Sequence, residues 1–288
     1  MKIVEITYRY DTSGAEVAPR PDDADAARAR LDNGSRKMAE LFEELGKGHG
    51  TSRRVIAVDP RDLGLSRGGS APEQRPYAAV LGCSDARVPI ELIFNEGPND
   101  LFVVRVAGNG LGAEVLGSLN YAAENLGGSM KLIVVLGHSG CGAVSAAVDV
   151  FLDPQAYLTL AEKHSLRSIL DRLLLVVHAA AKRLAAVHGA GVTSMPGYRA
   201  ALLEAAVVSN AAFTAFTLEQ EMAGVTEGLR AAYGTYLISS RQMWAPRCGS
   251  AECAGLAYPP SNRREFVEFA DAVVRSERIA ALLRNGTE

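Results

Sequence analysis

Residues 131–148 read KLIVVLGHSGCGAVSAAV. From Leu132 to Leu136 the run is apolar with no alternation, the pattern of a strand buried on both faces. A glycine-rich turn follows, holding His138 and Cys141, and then small and apolar residues that suit a helix. The same shape occurs upstream. YAAVLGC (77–83) and LFVVRVAG (101–108) are short apolar runs that end in Gly or a polar residue. EVLGSLNYAAENLGG (114–128) reads as a crossover helix with a glycine stop. Buried strands alternating with helices predict an α/β fold with a mostly parallel central sheet flanked by helices. Ligands in such sheets bind beyond the carboxyl ends of the strands. Cys83 and His138 both fall at those ends, and Cys141 opens the next helix.

Outside this segment the reading is coarser. Residues 1–25, polar and rich in Pro and Asp, are expected to be a flexible extension, with one domain over 26–288 and its metal-site core at 72–150. Leu31, Met38, Leu41, Phe42 and Leu45 share one side of an N-terminal helical arm. Residues 46–75 collect Gly, Arg, Ser and Pro and predict a long loop. An enlarged helical region covers 152–235, one more strand is expected over 231–244, and a terminal amphipathic helix over 265–286.

Composition narrows the function. The chain has 288 residues, 48% hydrophobic and 22% charged, with a net charge of -3. That is ample for one sizeable core, and no basic stripe marks a nucleic-acid surface. No stretch reads as a signal peptide or a membrane span, so a cytoplasmic protein with no nucleic-acid or membrane partner is expected. In that setting the four cysteines are expected as reduced thiols.

Two short motifs carry the chemistry: CSDAR, Cys83 to Arg87, and HSGC, His138 to Cys141. Zinc favours tetrahedral sites of thiolate and imidazole. His138 and Cys141 straddle one turn and can grip a single ion, and Cys83 on a neighbouring strand end supplies a third ligand. Three protein ligands leave a fourth position open, as in a catalytic site. Asp85 could close that position; Arg87 can pair with Asp85 and hold it off the metal. Taken alone, H-x-x-C could be an accidental pair at a glycine turn, and Asp85 with Arg87 a structural ion pair. Cys248 and Cys253 find no further ligands and are expected to be structural or incidental thiols. His164, His178 and His188 are expected to be packing or surface residues.

Together the two motifs resemble those of the β-class carbonic anhydrases, whose pattern is C-x-D-x-R followed by H-x-x-C. EQRPYAAVLGCSDARVP, LFVVRVAGN, GSLNYA and LIVVLGHSGCGAV extend the resemblance over about residues 72–150, with Arg105 and Asn109 in register. It implies Zn2+ held by Cys83, His138 and Cys141, with Asp85 and Arg87 as the catalytic dyad. It also implies bicarbonate bound by Gln74 and the backbone amide of Gly142. Phe102, Ala107 and Tyr121 match positions that line an apolar CO2 pocket, partly from a neighbouring subunit; plain core packing is the alternative for these three. The implied assembly is a homodimer or a multiple of dimers. The implied reaction is reversible hydration of CO2 to bicarbonate and a proton by zinc-bound hydroxide. Two other readings stay open: hydrolysis of CS2 or COS on the same site, and a non-catalytic zinc-stabilised interaction protein. Val106 departs from the family's usual Asn, Asn120 from its usual Glu, and the last strand lacks the usual Tyr-Asp.

Overall fold

The computed structural model describes residues 2–11, 17–65, 71–155, 157, 164–247 and 254–285. In chain order the first elements are β1 (Lys2–Tyr10), α1 (Ala24–Glu43), β2 (Gly50–Val58), β3 (Ala78–Gly82), α2 (Ile90–Phe94) and β4 (Leu101–Arg105). Next come α3 (Ala113–Leu126), β5 (Leu132–His138), α4 (Gly142–Leu152), α5 (His164–His188) and α6 (Tyr198–Glu221). The chain then forms β6 (Arg230–Tyr236), β7 (Met243–Trp244), α7 (Arg263–Arg275) and α8 (Glu277–Asn285).

The central sheet runs in the order β4-β3-β5-β6-β7. Its first four strands are parallel and β7 is antiparallel to β6. Every residue of β3 and β5 is buried. Successive side chains point to opposite faces, and each face has its own core. Ala79, Leu81, Ile133 and Val135 pack with α3 through α8. Ala78, Val80, Leu132, Val134 and Leu136 pack beneath α1 and α2. Burial on both faces is why these strands show no apolar–polar alternation. Each fully buried Val, Leu or Ile stabilises the fold by about 1.5–3 kcal/mol.

The topology also locates the site. From β3 the chain moves to β4 on one side, then crosses back over β3 to β5 on the other. Gly82 at the end of β3 pairs with Arg105 of β4 and Leu136 of β5. Connections therefore diverge at the carboxyl ends of β3 and β5, opening the crevice that parallel sheets use for ligands.

Four expectations need correction. The flexible extension over 1–25 is replaced at residues 2–10 by β1, which pairs in parallel with β2 along nine positions from Lys2–Gly50 to Tyr10–Val58. The long loop over 46–75 therefore contains a strand, and a short 3-10 turn follows at Pro60–Leu63. The strand over 231–244 is two strands: β6 turns back through Arg241, whose φ of 61° is left-handed, into β7. The terminal helix is two helices broken at Ser276, whose hydroxyl accepts from the Ile279 amide at 3.3 Å and caps α8. In addition, α6 is long and apolar enough to cross a membrane by length and composition, yet 78% of its most apolar window is buried inside the domain.

Candidate metal centre

Cys83 directly follows β3, His138 ends β5, and Cys141 is the N-cap of α4. All three are buried. Their ligand atoms lie within 4.8 Å of one another, and the two sulfurs are 3.9 Å apart. That is far beyond a disulfide bond of about 2.05 Å. It suits two thiolates on one tetrahedral ion with metal–sulfur bonds of about 2.3 Å. Nδ1 of His138 donates to the Ser139 carbonyl at 3.0 Å, which leaves the Nε2 lone pair for a metal. Nε2 is buried and, among the described residues, has no hydrogen-bond partner. An orphaned imidazole nitrogen beside two thiols is the mark of a ligand set.

The electrostatics agree. The thiol of Cys141 is the largest influence holding Cys83 down, against burial, aided by His138 and by the amides of Asp85 and Gly108. The Gly108 amide lies 3.4 Å from the Cys83 sulfur. Cys141 is driven the other way, first by its hydrogen bond to Cys83 and then by burial. Without a cation a second thiolate beside the first is thus disfavoured. A divalent ion removes that cost, and a donor set of two sulfurs and one imidazole favours zinc.

Asp85 and Arg87 form a bidentate pair at the mouth. The Arg87 amide and Nε donate to Oδ1 of Asp85 at 2.9 and 3.0 Å, and Nη2 donates to Oδ2 at 2.7 Å. The Arg87 hydrogen bonds hold the Asp85 carboxyl well below the usual carboxylate range. Oδ2 of Asp85 stands 3.9 Å from Nε2 of His138, so it faces the space the ligand atoms face. Arg105 fixes the loop beneath: Nε donates to the Cys83 carbonyl at 2.9 Å and Nη2 to the Asp85 carbonyl at 2.5 Å. Sequence reasoning placed Arg105 in register without giving it this role.

The remaining site candidates are less concentrated. Gly142 is the first residue of α4, next to Cys141. Phe102 on β4 and Ala107 in the turn after it are half-buried. Tyr121 on α3 is 53% exposed, and Gln74, before β3, is exposed. His178 sits edge-on to Phe151, and Nε2 of His188 lies 2.8 Å from the Val274 carbonyl, which suits packing roles for both. Cys248, Cys253 and the side chain of His164 lie outside the described residues.

Sequence reasoning missed Glu204. It lies on α6, 2% exposed, and its Oε1 accepts from the Gly140 amide at 2.9 Å. The available signal was a single acid in the otherwise apolar stretch ALLEAAVV.

A family model described as carbonic anhydrase matches residues 78–213, a little under half of the chain. Carbonic anhydrase 2 of Mycobacterium tuberculosis is 49% identical over 105 residues, 35% of this chain and 50% of that protein. The carbonic anhydrase of Pseudomonas aeruginosa is 45% identical over 82 residues, 26% of this chain and 36% of that protein. The chain spans half or less of the length of these curated relatives. Among solved structures, a Coccomyxa β-carbonic anhydrase in complex with acetazolamide is similar with a TM-score of 0.46 and 20% identity, over 67% of this chain and 81% of that one.

Proposed function

We propose that this chain belongs to the β-class carbonic anhydrase family through its residues 78–213 and catalyses zinc-dependent reversible hydration of CO2 to bicarbonate and a proton. The observation that carries the reading is the buried Cys83–His138–Cys141 cluster with its orphaned imidazole nitrogen, faced by an Asp85 that Arg87 holds in place. Cys83, His138 and Cys141 would hold the zinc, which supplies a Lewis acid that makes water nucleophilic near neutral pH.

The chain's own residues supply position and charge. Arg87 occupies both carboxylate oxygens of Asp85 and so keeps it from becoming a fourth ligand. Asp85, ionised, accepts a hydrogen bond from the attacking water and directs its lone pair towards carbon. Arg105 sets the height of Asp85 by gripping the backbone on both sides of Ser84. The Gly142 amide and Gln74 receive bicarbonate, and Phe102, Ala107 and Tyr121 shelter CO2. The exposure of Gln74 and Tyr121 on the single chain supports a pocket completed by a second copy. A cytoplasmic setting keeps both thiols reduced and available as ligands.

Stopped-flow hydration of CO2 by the zinc-loaded chain tests the proposal, with CS2 and COS hydrolysis followed in parallel. Turnover of CO2 above the uncatalysed rate supports it. Turnover of CS2 or COS alone, or of none, overturns it.

A further inference from the structure

We infer that Glu204 is a positioning residue that presets the metal-binding turn, with Arg278 of α8 as its anchor; this rests on the zinc reading. His138 and Cys141 are joined through Ser139 and Gly140, and Gly140 has a left-handed φ of 62°. Glycine visits many backbone conformations at little cost, so a turn built on it does not by itself hold two donor atoms on one point. Neighbouring contacts fix it from two directions. On the sheet side, the Ser139 amide donates to the Tyr236 carbonyl at 2.9 Å, and the Ile238 amide donates to Oγ of Ser139 at 3.0 Å. On the helix side, Glu204 takes the Gly140 amide itself.

Glu204 is in turn fixed. Its Oε2 accepts from Nη2 of Arg278 at 3.0 Å, with the two side chains 3% and 20% exposed. The Arg278 guanidinium lies 5.8 Å from the centre of the Trp244 ring, on β7. Helices α6 and α8 approach closely: a Cβ on Gly197, which precedes α6, would stand 1.8 Å from the Leu282 carbonyl. The helix that carries Arg278 is thus packed backbone to backbone against the start of α6. The charge of Arg278 also matters. A buried carboxylate near two thiolates would repel them, and the guanidinium neutralises it. What remains is a charge-assisted acceptor aimed at one amide. Outer partners of this kind typically change metal affinity by about 10–100-fold.

The test is zinc release from the folded protein into excess chelator, read beside its unfolding midpoint, for wild type and Glu204→Ala, Glu204→Gln and Glu204→Asp. In Gln the amide oxygen still reaches Gly140, but charge is lost and the NH2 group faces Nη2 of Arg278, donor against donor. In Asp charge is kept, but the shorter side chain draws back from Gly140. The inference expects release about 10–100-fold faster for Ala, clearly faster for Asp, and the smallest acceleration for Gln. A structural ion pair would give the reverse order, with Asp nearer wild type than Gln. If the Ala variant does not fold, the order of Gln and Asp decides alone. Wild-type release in Ala or Asp, or loss in Gln as fast as in Ala, overturns the inference and leaves the zinc reading standing. A wild-type chain that binds no zinc overturns both.

Discussion

Asp85→Asn separates chemistry from architecture at this site. In the native pair Asp85 accepts three N–H groups, all from Arg87. Asn keeps Oδ1 for the amide and Nε, but it turns an NH2 group towards Nη2 of Arg87, donor against donor. The stability cost is small because the Arg87 side chain is 60% exposed and water rehydrates it. Near-surface pairs of this kind contribute about 0.2–1 kcal/mol, so a loss within that range is expected. Zinc content should not change, since Asp85 is outside the donor cluster. Activity should fall steeply, because the group that orients the attacking water no longer carries charge. Loss of such a group costs about 10²–10⁴ in rate. That is about 2.7–5.4 kcal/mol in the barrier, several times the stability change. Stopped-flow hydration, zinc analysis and a thermal melt on one preparation measure all three quantities. A folded, zinc-loaded Asp85→Asn protein that turns over CO2 at the wild-type rate would refute the role given to Asp85.

Two other sites give independent expectations. Burial pushes the Glu96 carboxyl up to about 7, against the hydrogen bonds from Arg30 and Tyr77 that pull it down. A carboxyl raised on folding contributes stability that is present below its unfolded pKa of about 4.3 and lost as pH rises through the folded value. Unfolding free energies from denaturant melts should therefore fall from about pH 5 to about pH 8, by at most about 1.4 kcal/mol per pH unit from this group, and less so in Glu96→Gln. Equal slopes in the two proteins would show that Glu96 does not titrate in that window. Gly197→Ala should destabilise the protein by at least the ~1–3 kcal/mol typical of overpacking, since its Cβ would meet backbone that no side-chain rotation can clear. An unchanged melting temperature would show that α8 does not sit where it is described.

The central strands and the Cys83–His138–Cys141 cluster were legible because their signals are local. β3 and β5 are uninterrupted apolar runs, with Cys83 just after the first and His138 at the end of the second. Helix α4 begins at Gly142, directly after Cys141, as the glycine turn implied. β1 and β2 were not legible. In KIVEITYRY the alternation of a half-buried strand is present, but it lies beside a polar, Pro-rich stretch. In β2 the apolar residues follow two arginines and a Gly-Thr-Ser start. β7, two residues long, carries no periodicity. The break at Ser276 was readable only as a capping serine inside an amphipathic pattern that continues on both sides. The partners of the site were illegible for a different reason. Arg105 and Glu204 act through contacts 22 and 64 residues apart in sequence, which only the fold brings together.

The central claim is that one zinc held by Cys83, His138 and Cys141 supports CO2 hydration. The most direct test measures zinc stoichiometry and hydration rate together in wild type and Cys141→Ser, with a melt to confirm folding. The account predicts about one zinc per chain and catalysed hydration in wild type, and loss of both in the folded variant, because a neutral serine hydroxyl is a poor zinc ligand beside a thiolate. Cys141→Ser protein that keeps wild-type zinc and wild-type hydration, or wild-type protein that hydrates CO2 equally well after zinc is stripped, would contradict it.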